Sequence, residues 1–62
     1  MKNRNQLVNN LQLAQWMAYR ARNRLERCLN QGRYNKGFAR QYLRCLRYER
    51  KAFDALSKAV LA

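Results

Sequence analysis

Apolar and small residues recur along the first half of the chain at Leu7, Leu11, Ala14, Ala18, Ala21, Leu25 and Cys28, in alternating steps of four and three. That spacing holds one side of an α-helix toward a neighbour, so it predicts a helix with a core-facing seam. Asn3, with Gln6 three residues on, supplies the start, because a short carboxamide accepts a hydrogen bond from a free backbone N–H of the first turn. Asn30-Gln31-Gly32 supplies the stop, with glycine where the chain takes a left-handed backbone. Helix 1 is therefore predicted over about residues 4–31.

A second, broader stripe runs through Ala39, Tyr42, Leu46, Glu49, Phe53, Leu56 and Val60, widened by Phe38, Cys45, Ala52 and Ala59. It predicts a helix over about residues 36–60 that buries more of its circumference than the first. Asn35 is placed to cap it, and Tyr34, just before the cap, is expected to pack on Ala39 as a hydrophobic staple. The turn at 32–35 is too short for anything but an antiparallel return. The expected fold is all-α, a single domain over residues 1–62 that forms a two-helix antiparallel hairpin. The alanines of the first seam are expected to receive the larger Tyr42, Leu46 and Phe53 of the second helix. At 62 residues the chain is near the lower limit for folding alone. Two long arms with wide apolar stripes cannot cover each other fully, so dimerisation into a four-helix bundle is expected, with another protein's helices as the alternative cover.

Charge changes the picture from fold to function. Fourteen basic residues face three acidic ones, without histidine, for a net charge of +11. Self-repulsion of this size raises the free energy of the compact state and calls for a polyanionic or acidic partner. Ten of the fourteen are arginine, whose planar fork suits phosphate and carboxylate. Arg40, Arg44, Arg47 and Lys51 form a ridge along helix 2, about 100° round from its apolar stripe, and Lys58 continues the line. Arg20, Arg24 and Arg27 form a shorter ridge on helix 1. Eleven of the fourteen cations lie between Arg20 and Lys51, so the turn end is an electrostatic pole. Arg33 and Lys36 flank Tyr34 in the turn, a pairing of cation and aromatic ring that suits an exposed base if the staple is not made.

Two features interrupt this pattern. Leu13, Trp16 and Met17 lie off the helix 1 seam, next to its arginines, and mark a candidate protein interface. Glu49 sits within the helix 2 stripe, where a carboxylate needs a partner; Arg22 is the expected one, in a buried ion pair, with an arginine of a second subunit as the alternative.

Catalysis is not expected. Cys28 and Cys45 have no histidine to activate them or to complete a zinc site, and the three carboxylates form no acid–base pair, so neither cofactor nor metal is anticipated. No apolar run reaches the roughly 18 residues of a membrane span, and the first ten residues lack the apolar segment of a secretory signal. A cytoplasmic setting follows as the expectation. No zinc finger, zipper basic region or helix-turn-helix pattern is present, so any nucleic-acid binding would be led by backbone and shape. Three functions remain, in this order. The first is a regulatory homodimer binding DNA or RNA through Arg20, Arg24, Arg27, Arg33, Lys36, Arg40, Arg44, Arg47 and Lys51. The second is an inhibitor or adaptor, of the kind phages and mobile elements use, docking on an acidic surface of a host protein. A membrane-active basic amphipathic peptide is the third.

Overall fold

The computed structural model describes residues 3–61; Met1, Lys2 and Ala62 lie outside the described residues. Two helices, α1 (Arg4–Asn30) and α2 (Lys36–Leu61), pack against each other as a hairpin, with no strand among the described residues. The caps explain why each helix begins and ends where it does. Asn3 Oδ1 accepts from the Gln6 N–H at 2.8 Å, closing the first turn of α1. At the other end Gly32 takes φ +75°, and the Gly32 and Arg33 N–H groups fold back onto the Leu29 and Cys28 carbonyls at 2.9 Å each. This pair of bonds is the Schellman arrangement, which satisfies carbonyls the helix leaves free and turns the chain. Asn35 then repeats the role of Asn3, its Oδ1 accepting from the Phe38 N–H at 3.1 Å.

All seven seam residues expected in α1 face the other helix: Ala14, Ala18 and Ala21 are buried, and Leu7, Leu11, Leu25 and Cys28 are partly buried. On α2 the observed seam is turned relative to the expected one. Cys45 is its only buried residue, flanked by the partly buried Phe38, Ala39, Tyr42, Glu49, Ala52 and Leu56, while Leu46, Phe53 and Val60 are exposed, Phe53 at 57%. The large-into-small packing expected of Leu46 and Phe53 against the alanines is therefore corrected to small against small: Ala18 and Ala21 meet Cys45, with Tyr42 packed beside them. The cause is steric. Interhelical distance follows the side chains at the contact, and alanines on α1 allow an approach that leaves no room for a phenyl or isobutyl group at its centre. The bulky residues of α2 consequently sit about 80–100° to one side.

A pair of helices of 27 and 26 residues can bury only this narrow strip. No large side chain among the described residues is fully buried. The chain exposes 5496 Å², whereas a compact monomer of its 7.5 kDa mass exposes about 4,200 Å². Its radius of gyration is 14.2 Å, against about 11 Å for a compact domain of this length. The hairpin is a rod of 47 × 15 × 14 Å with roughly 1,250 Å² more surface than its mass requires.

Candidate functional site

The seam divides the rod into two broad faces, and the side chains on them differ in kind. On the first face Leu13 and Met17 of α1 and Tyr48, Ala52 and Ala55 of α2 line an open groove of about 530 Å³, with Lys51 at its edge. Toward the turn this groove continues into a smaller one lined by Trp16, Met17, Arg20, Arg24 and Gln41, with Cys45 at the floor of both. Arg44 belongs to the same flank, because Gln41, Arg44, Tyr48 and Lys51 succeed one another at steps of three and four along α2. Neither groove is lined by a carboxylate.

Two of the cations of this face are held by aromatic rings. The Arg20 guanidinium lies 4.8 Å from the centre of the Trp16 ring, one helical turn earlier. Arg24 reaches across to α2: it lies 5.4 Å from the Phe38 ring and donates from Nη1 to Gln41 Oε1 at 3.4 Å. Such contacts contribute about 0.5–1 kcal/mol each at exposed sites. Their structural consequence is to limit the swing of two long side chains while leaving their charge in water. Arg27 lies in the last turn of α1, where a cation is favoured by the helix dipole. Lys36 and Arg40 occupy the first turns of α2, where it is not, and no acid stands there to offset them. Arg33, Lys36, Arg40, Arg44, Arg47 and Lys51 are all exposed, as are Arg20, Arg24 and Arg27.

The expected protein interface is present as a surface: Leu13, Trp16 and Met17 are exposed, Trp16 at 53%. Tyr48 belongs to it and was not foreseen, because its position relative to the seam follows only once Cys45 is known to be the closest point of α2. Tyr34 is 66% exposed, so the staple expected on Ala39 covers little of its ring. The Asn35 cap and the Schellman turn already set the path of the chain there, and the ring projects into solvent beside Arg33 and Lys36.

The second face is nearly neutral. Gln15, Tyr19, Arg22, Tyr42, Leu46 and Glu49 border a shallow depression over Ala18, and Phe53 and Val60 extend its line at steps of four and seven from Glu49 and Phe53. The buried Arg22–Glu49 pair is corrected here. Arg22 Nε lies 3.6 Å from Glu26 Oε1, one turn along its own helix, and both side chains are exposed. Glu49 is partly buried and borders the same depression as Arg22, but forms no salt bridge among the described residues. An intrahelical partner at i+4 needs no reach across the seam, so it takes the arginine, at a gain of about 0.3–0.5 kcal/mol.

Cys28 and Cys45 are free thiols, and no group of three metal-binding side chains occurs among the described residues. No described helix is long and apolar enough to cross a membrane. Comparison with family models, with curated proteins and with solved structures gave no match.

Proposed function

We propose that this chain is a small non-enzymatic regulatory protein that works as a homodimer and binds DNA or RNA through its cationic face. The observation that carries the reading is the convergence of Arg20 and Arg24 from α1 with Arg44 and Lys51 from α2 on one face whose grooves contain no carboxylate. Phosphates are the ligands that such an array of guanidinium forks and an ammonium group meets best. The ridge from Arg40 to Lys51 extends about 16 Å along the α2 axis, enough to follow several phosphates of one strand. Trp16, Tyr34 and Tyr48 are exposed among these cations, and such rings stack on unpaired bases. Lys36 and Arg40 add charge at the positive end of the α2 dipole, a placement that destabilises the free protein slightly and is reversed in sign by a bound anion. A cytoplasmic setting fits this reading.

Fluorescence anisotropy with labelled single- and double-stranded DNA and RNA, titrated at several salt concentrations, tests it. Micromolar or tighter binding that weakens steeply with salt is expected. Absence of binding to all four probes at 50 mM salt refutes it.

One observation favours a second reading, an inhibitor or adaptor that docks on an acidic host protein. The groove between Leu13, Met17 and Tyr48 is aliphatic at its centre, which suits apolar side chains better than phosphates. Capture of one stoichiometric protein partner after nuclease treatment, lost on Trp16→Ala, would favour that reading over nucleic acid. A membrane-active peptide ranks third, and helix formation only on anionic vesicles is its signature.

A further inference from the structure

We infer that the homodimer closes on the second face, where Tyr19, Leu46, Phe53 and Glu49 are covered by a second copy of this chain, leaving both cationic faces outward. The assignment rests on the homodimer proposed above and adds which surface forms it.

Three observations converge on this face. The first is charge. A two-fold pairing presents a surface to itself, so the surface must be self-complementary. On the second face Glu26 and Glu49 alternate with Arg22 and with Arg50, which stands four residues after Leu46 and three before Phe53. Each copy thus offers both signs. The first face offers Arg20, Arg24 and Lys51 and no carboxylate in its grooves. Pairing it with itself would desolvate cations with nothing to receive them.

The second is the state of Glu49. It is drawn partly under the surface with no salt bridge among the described residues. A second copy brings further arginines to it, because Arg22 lies across the same depression, held by an exposed contact to Glu26 and a 6.0 Å approach to the Tyr19 ring.

The third is area. One broad side of a 47 × 15 Å rod is roughly 700 Å² in projection. Two such sides give an interface of about 1,400 Å², within the range of stable complexes. Covering this face also removes much of the surplus surface of a chain in which no large side chain among the described residues is fully buried.

The test uses the unmodified protein without nucleic acid. Tyr19 on the second face and Tyr48 on the first are 58% and 56% exposed in the single chain, so their intrinsic accessibility is matched, and Tyr34 at the tip is a free reference. Mild nitration with tetranitromethane at tens of micromolar protein, read by peptide mass spectrometry, is paired with light scattering at the same concentration. The expected result is a dimer mass, Tyr48 and Tyr34 nitrated alike, and Tyr19 at least fivefold slower. Dilution to a monomer mass should equalise Tyr19 with Tyr48. A dimer that protects Tyr48 instead overturns the face assignment while leaving the dimer standing, and a monomer mass at all concentrations overturns both. Phe53→Lys should lower the dimer mass to that of a monomer, and Met17→Lys should not. Should Phe53→Lys unfold, the nitration pattern of the wild-type protein still decides. Failure of nucleic-acid binding with Tyr19 protected would refute the proposed function and leave this interface in place.

Discussion

Replacing Arg44 and Arg47 together with alanine separates phosphate contact from mere solvation of a charged helix. Both side chains are exposed on α2 and make no ion pair among the described residues. Their removal should therefore change folding stability by no more than about 0.5 kcal/mol. If Arg20, Arg24, Arg40, Arg44, Arg47 and Lys51 each neutralise one phosphate of duplex DNA, the logarithm of affinity should fall with the logarithm of salt at a slope of about −5. Losing two contacts should flatten that slope by about 1.8. At 0.1 M monovalent salt each contact is worth about eightfold in affinity through counterion release, so the double variant should bind about sixtyfold more weakly. The two lines should converge near 1 M salt, where the release term vanishes. Anisotropy titrations at four salt concentrations read both numbers. An unchanged slope with unchanged affinity would show that this ridge does not meet phosphate. A parallel line displaced to weaker binding would mean that the arginines act through shape or a non-ionic contact.

The turn and the seam give further expectations. Gly32→Ala has open space around the added methyl group and a φ of +75°, so backbone strain alone should destabilise it by about 1 kcal/mol. Thermal unfolding would register that as a loss of about 4–8 °C. Asn35→Ala should cost about 1 kcal/mol through the lost cap. A methyl group at Gly37 would stand 3.1 Å from Asn35 Oδ1, so Gly37→Ala should gain less helix stability in the natural chain than in the Asn35→Ala background, a difference that a double-mutant cycle measures. Ala18→Leu forces a large side chain into the closest approach of the helices and should destabilise by about 1–3 kcal/mol in chemical denaturation. Equal stability to the parent would refute the small-against-small seam.

The helices and their ends were legible in the chain because their causes are local. Asn3, Asn35 and Gly32 act on N–H and C=O groups within a few residues of themselves, and each does so in the structure. The α1 seam was legible because helix 1 carries a single regular line of small and apolar side chains. On α2 two lines compete, Ala39-Leu46-Phe53-Val60 and Phe38-Cys45-Ala52-Ala59, about 100° apart. Residue size favours the first. Which of them faces α1 is decided by the distance between the helix axes, and that distance is set by alanines more than twenty residues away in the chain. The mistaken partner of Glu49 has a local origin instead, since Arg22 had a nearer carboxylate one turn along its own helix. Composition revealed the cationic pole but not that Arg20 and Arg24 of α1 share one face with Arg44 and Lys51 of α2. That fact depends on the rotation of α2 about its own axis.

The tip of the hairpin is built almost entirely from main-chain groups and the Asn35 carboxamide. Gly32 and Arg33 contribute through their backbone N–H groups, while the side chains of Arg33 and Tyr34 are exposed and enter no hydrogen bond among the described residues. The side chains at 33 and 34 are thus relieved of any duty to the fold. The tip is a replaceable fitting on a fixed shaft: the side chains at 33 and 34 can be exchanged while the two arms, their caps and the seam that joins them keep their geometry.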